Sequence, residues 1–155
     1  MADERRRFDV SLVTPDGAVF EGEAEMMIVP GAGGEIGVLA RHAPLVATLR
    51  AGATRIHLGP ERVEEYATGP GFFTVQFDRA LALVDHAVKA DEIDEAQAQR
   101  LLEESRAELA RIEAGETSGD RWQLEQRIAH AENQLEVAGG GTLRQIRPKA
   151  SAGHD

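Results

Sequence analysis

Four side chains could do chemistry by type: His42, His57, His86 and Glu35. A metal-binding β-barrel would want histidines close together, as in His-x-His on one strand, and none of these is paired that way. Nucleophilic catalysis needs a nucleophile beside a base that a third group orients, and no such set is legible. The glycine-rich run Gly31–Gly37 lacks both the lysine and the following helix of a phosphate loop. The expectation is therefore no catalytic residue, no metal and no cofactor. What remains is a polar trio around the glycines: Glu35, Arg41 and His42. Glu35 reads as a solvated carboxylate. His42 precedes Ala43-Pro44, where a hydrogen bond from its ring would order the turn.

The elements that position this trio follow from backbone chemistry. An apolar strand, Met26 to Val29, enters the stretch. Pro30 cannot donate a ladder hydrogen bond, so the strand is expected to stop there. Gly31, Gly33 and Gly34 supply the freedom for a sharp reversal. Gly37 inside the next apolar run suggests a bulge or a close backbone approach. Pro44 pushes Ala43 towards extended geometry. A strand then alternates Leu45, Ala47 and Leu49 on one face with Val46 and Thr48 on the other. Gly31 to Leu45 is thus expected to be a structured loop between strands.

Around it, residues 8–90 read as many short strands with turn signals between them: Pro15-Asp16-Gly17, Gly59-Pro60, Gly69-Pro70-Gly71 and Asp78-Arg79. That pattern describes an all-β sandwich or barrel. Residues 91–138 contain no proline and are rich in strong helix formers. Asp94 with Gln97 and Asp120 with Gln123 resemble capping boxes that open two helices. Ala98, Leu102, Ser105, Leu109 and Ile112 recur at helical spacing, as do Leu124, Ile128, Ala131 and Leu135. Gly115 and Gly119 break the run, giving an antiparallel helical hairpin in which each helix buries its stripe on the other. The fold class is therefore α+β, an N-terminal sandwich followed by a two-helix hairpin. Residues 1–7 and 139–155 are expected to be disordered.

Charge narrows the partners. The net charge of −10 over 155 residues would be repelled by nucleic acid and by anionic lipid. Residues 91–138 hold thirteen acidic against five basic side chains, so the hairpin is the acidic part. There is no cysteine, which fits a reducing compartment. No apolar run approaches the roughly 20 residues needed to span a bilayer, and Arg5-Arg6-Arg7 has no apolar segment behind it. A cytosolic protein is expected, reaching a membrane only through a partner.

The pattern Pro-Gly-x-x-Gly-Glu-x-Gly-x-Leu-x-x-His-Ala-Pro-Leu, residues 30–45, resembles the epsilon subunit of F-type, proton-translocating ATP synthase. Val13-Thr14-Pro15 with Gly22, Gly71-Phe72 with Val75, Leu83 to Ala87 and Glu92-Ile93-Asp94 extend the resemblance over about residues 8–137. Pro70 departs from it, standing where the family usually has a second glycine. The resemblance implies a non-catalytic rotor subunit of the central stalk. Its sandwich would dock on the gamma subunit and the membrane rotor ring. Its hairpin would regulate ATP hydrolysis by meeting the alpha and beta subunits of the catalytic head in the inhibited state. Glu35, Arg41 and His42 would face the ring and gamma. The location would be the cytoplasmic side of a bacterial plasma membrane, held there by partner subunits.

Some members of that family bind ATP on the hairpin through Ile or Leu followed by Asp-x-x-Arg-Ala. In Ile93-Asp94-Glu95-Ala96-Gln97-Ala98, Asp94 and Ala98 match, while Gln97 replaces the arginine. A neutral amide cannot supply the forked, charge-assisted phosphate contact of guanidinium, so ATP binding is expected to be weak or absent. Basic residues on the second helix assist inhibition in the family. Here Arg121 and Arg127 stand against four acidic residues, and Arg144, Arg147 and Lys149 lie beyond Gly139-Gly140-Gly141, the triglycine expected to end the hairpin. The alternative from another class is a freestanding sandwich module that dimerises through its hairpin.

Overall fold

The computed structural model describes residues 6–139, so the two tails expected to be disordered lie outside the described residues, apart from positions 6, 7 and 139. The chain forms two compact units that divide after Lys89. The first holds ten strands: β1 Phe8–Thr14, β2 Gly17–Ala24, β3 Met26–Gly31, β4 Gly34–Leu39 and β5 Leu45–Leu49. They continue as β6 Gly52–Gly59, β7 Arg62–Thr68, β8 Gly71–Gln76, β9 Arg79–Val84 and β10 Ala87–Lys89. The second holds α1 Glu95–Glu113 and α2 Arg121–Ala138. The architecture is α+β, a β-sandwich followed by a helical hairpin.

Hydrogen bonding runs β10-β7-β6-β3-β5-β8-β9-β1-β2, with β4 paired to β3 off that path. Pairing is antiparallel except β1 with β9, whose partners lie some seventy positions apart in the sequence (Val10 against Ala80). The β3–β5 link is one residue pair, Gly31 with Leu49, and there the path turns from one layer to the other. Alternation decides what is buried. Leu12 of β1, Met27 and Val29 of β3, Val38 of β4, Ile56 of β6, Tyr66 of β7 and Phe73 of β8 converge in one core. Burying a side chain such as Phe73 contributes about 2–3 kcal/mol.

The glycine-rich stretch differs from the expectation. Pro30 does not end β3. It pairs with Glu35, and the strand runs on to Gly31. What was expected as one loop from Gly31 to Leu45 contains β4, so only residues 40–44 link β4 to β5. A proline costs little here, because its carbonyl accepts from Arg50 N–H while the absent N–H leaves no donor stranded. The backbone constraint sits at the turn. A Cβ on Gly31 would lie 2.6 Å from the Gly34 carbonyl oxygen, and Gly34 has φ +135°. Gly37 is neither a bulge nor a close approach. The β3–β4 register is unbroken there, and a Cβ would meet nothing within 4 Å.

In the hairpin, Asp94 and Asp120 act as N-caps, accepting from Gln97 N–H at 3.0 Å and Gln123 N–H at 3.1 Å. Gly115, with φ +75°, donates to the Ile112 carbonyl, and Glu116 N–H reaches the Arg111 carbonyl. These two bonds close α1 with a Schellman motif. Ala98, Leu102, Ser105, Leu124 and Ala131 are buried as the spacing predicts, while Leu109, Ile112, Ile128 and Leu135 are only half-buried. Asn133 and Val137, outside the expected stripe, are buried as well. Arg106 to Glu132, at 2.6 Å, and Arg121 to Glu113, at 2.9 Å, tie the antiparallel helices together.

Candidate functional site

Glu35 is the second residue of β4, on the face of the sheet turned away from the core. The register sets that face as Glu35 beside Pro30, then Ile28, Arg55 and Glu65 across β3, β6 and β7. Arg55 is only 2% exposed, and its Nη2 donates to Glu35 Oε1 at 3.1 Å. Glu65 stands directly across the β6–β7 ladder from Arg55. Burial pushes the Glu65 carboxyl above the usual carboxylate range, and the nearby Arg55 charge opposes that shift without cancelling it.

Arg41 and His42 belong to another place. They follow the far end of β4, a strand's length from Glu35, on the order of 15–20 Å. Arg41 adopts φ 64°, and its backbone N–H donates to the Asp78 carboxylate. Asp78 and Phe77 form the two-residue β8–β9 turn, both with positive φ as a type I′ turn requires. A phenylalanine is unfavourable in that conformation, and Phe77 is 90% exposed. His42 Nδ1 lies 2.7 Å from the Ala43 carbonyl. A carbonyl only accepts, so Nδ1 carries the proton and the ring orders its own loop. The expected trio is therefore split: Glu35 with Arg55 at one end of β4, Arg41 and His42 with the Phe77–Asp78 turn at the other.

A third feature crosses β5, β8 and β9. Phe72 and Leu83 are ladder partners, and Val46 is diagonal to Phe72. They are 61%, 46% and 77% exposed, forming an apolar strip on the outer face.

On the hairpin, Asp94 and Ala98 lie one helical turn apart. The Asp94 carboxylate is engaged as a cap and Ala98 is buried. Beside them runs a groove of about 390 Å³ lined by Arg100, Leu101, Glu104, His130 and Gln134. Among the described residues no group of three or more His, Asp or Glu side chains is placed to hold a metal ion, and no helix is long and apolar enough to cross a membrane.

Arg55, Glu65, Phe72 and Phe77 were not among the site residues expected from sequence, although Phe72 is part of the family pattern. For Phe72 a signal existed: it shares parity with Thr74 and Gln76, so it had to face away from Phe73 and Val75. For Arg55 there was none, since its meaning depends on strands that pair only in three dimensions.

Comparison with known proteins matches this architecture. The family described as ATP synthase, delta/epsilon chain, beta-sandwich domain matches residues 7–90. The ATP synthase epsilon chain of Rubrobacter xylanophilus is 36% identical over 147 residues, covering 91% of this chain and all of that one. That of Chromohalobacter salexigens is 38% identical over 146 residues, covering 93% and 96%. The fold is shared with a chain in the Euglena gracilis mitochondrial ATP synthase OSCP/F1/c-ring structure, at TM-score 0.63 and 23% identity over 90% of this chain and 81% of that one. It is shared also with a chain in the Tetrahymena thermophila mitochondrial ATP synthase central stalk/c-ring structure, at TM-score 0.52 and 12% identity over 89% and 98%. With the sandwich matched to the family and relatives matched through the hairpin, the chain belongs to the epsilon-chain family of the ATP synthases.

Proposed function

We propose that this chain is a rotor component of the central stalk, joined to the gamma subunit and the membrane rotor ring, and that it couples proton translocation to ATP synthesis without covalent chemistry of its own. The observation that carries the reading is the strip Val46–Phe72–Leu83. An apolar surface of this kind marks a protein contact, and we assign it to gamma. Glu35, Arg41 and His42 supply polar contacts to the ring and gamma. The chain stays peripheral, on the cytoplasmic side of the plasma membrane, through these partners. The test is co-purification with gamma after Phe72→Ser and Val46→Ser, which leave the buried core untouched. Loss of gamma with an unchanged melting curve is the expected result. Retention of gamma at parental affinity overturns the assignment.

The hairpin regulates ATP hydrolysis by meeting the alpha and beta subunits, and Trp122, 67% exposed in its second helix, is an apolar anchor for that contact. Hydrolysis by the reconstituted complex is expected to rise when the chain ends at Ala90. An unchanged rate overturns the regulatory role. ATP binding on the hairpin is weak or absent, because Asp94 is engaged as a cap and Gln97 replaces the arginine. Calorimetry with magnesium-ATP checks this, and tight saturable binding would show that Arg100 or Arg106 rebuilds the phosphate contact. Dimerisation through the hairpin is not favoured, since α1 and α2 bury their stripes within one chain.

A further inference from the structure

Across the β6–β7 ladder, Arg55 and Glu65 are direct neighbours, a geometry that brings Cβ atoms within roughly 5 Å. Both side chains are buried and of opposite charge. Stability by itself would pair them. Instead the guanidinium extends the other way, past β3, to Glu35. Arg55 Nε and Glu65 Oε2 are left buried without a hydrogen-bond partner among the described residues. Each such atom costs about 1–3 kcal/mol. A fold that leaves the carboxyl across the ladder from a buried cation outside ion-pair distance, and holds a half-exposed one instead, gives up stability for the placement of the second.

We propose that Arg55 is a positioning residue that fixes the Glu35 carboxylate at the tip of the β3–β4 hairpin for contact with a hydrogen-bond donor of the partner. This rests on the assignment of Glu35 to the ring contact. The planar guanidinium is suited to the task. Its long stem is already immobilised by burial, so holding Glu35 costs little further entropy. Glu35 Oε1 accepts from Arg55, while Oε2 has no partner among the described residues and the side chain is 45% exposed. One oxygen is anchored and the other is presented. The matching chemistry is a hydroxyl, amide or guanidinium on a polar loop of the ring. The close turn at Gly31–Gly34 supports the same end of the hairpin from below, so backbone and side chain jointly limit where the carboxylate can be.

The test uses the full chain as parent, Arg55→Met, Arg55→Lys, Glu35→Gln and the Met/Gln double variant. The first measurement is NMR relaxation of the Glu35 side chain in the free protein. Arg55→Met is expected to free it, and Arg55→Lys, which keeps the charge, to restore most of its order. Unchanged relaxation in Arg55→Met overturns the positioning role. Because Arg55→Met could impair folding, Arg55→Lys is the second probe, and a lysine variant that is folded yet as mobile at Glu35 as the methionine one counts against charge-based positioning. The second measurement is affinity for the detergent-solubilised rotor ring carrying gamma. Arg55→Met is expected to weaken binding about tenfold, with no further loss when added to Glu35→Gln. Additive losses overturn the proposal, since Arg55 would then act independently of Glu35. If Glu35→Gln binds like the parent while relaxation changes as expected, the ring assignment of Glu35 has failed, and the purpose proposed for Arg55 fails with it.

Discussion

The sandwich draws Leu12, Met27, Ile56 and Phe73 from four strands spread over sixty positions and buries all of them completely. The hairpin draws Leu102 and Leu124 from two consecutive helices, and puts Ser105 and Asn133 among its buried residues. Its interhelical ties, Arg106–Glu132 and Arg121–Glu113, are half-exposed ion pairs. Such pairs contribute about 0–1 kcal/mol each and weaken with salt. The sandwich thus rests on a dense non-local core, and the hairpin on a thin stripe between neighbours in sequence. Elements of low local stability are the ones that can rearrange, so the difference suits the roles proposed above, docking for the sandwich and regulation for the hairpin.

The largest effect that would break this comparison lies in the core. Phe73→Ala is expected to destabilise the sandwich by about 3–5 kcal/mol, and Leu124→Ala to lower hairpin helicity while leaving sandwich melting in place. Calorimetry beside far-ultraviolet dichroism reads both, and a chain ending at Ala90 should still melt cooperatively. One shared transition, shifted equally by either substitution, would mean that the two units are not energetically separate.

Next comes Glu65. Its folded-state pKa is raised above the unfolded value by burial. Folding therefore favours the protonated carboxyl, and stability is greatest below the unfolded pKa and falls as pH rises through the folded one. Glu65→Gln is expected to be more stable than the parent at neutral pH, with the gap closing as pH drops towards 4.5. Denaturant melts across that range decide it. A gap of the opposite sign, with the parent the more stable at neutral pH and losing that advantage on acidification, would show that the Arg55 charge, not burial, governs this carboxyl.

Smaller still is the cap. Asp94→Ala is expected to cost about 1 kcal/mol, confined to the first turn of α1 and visible as faster amide exchange there. The smallest effect belongs to Gly37→Val, expected to stay within about 0.5 kcal/mol, because open space surrounds that position. A severe loss would show that the β4 edge is covered in the free protein.

Local chemistry was readable in order. The two caps, the breaks at Gly115 and Gly139, the alternation of β5 and the division of the chain into sandwich and hairpin all depend on residues a few positions apart. The glycine-rich run misled for the same reason. Locally, Pro30 and four glycines between 31 and 37 read as loop, whereas pairing with β3 supplies the hydrogen bonds that make Gly34–Leu39 a strand. Only the tertiary structure decided that β1 lies parallel to β9, that Glu35 and His42 sit at opposite ends of β4, and that Arg55 turns from Glu65 to Glu35. Periodicity records which face of a strand is apolar. Which strand lies beside it is chosen by packing of the whole core, and a charge acquires its partner only after that choice is made.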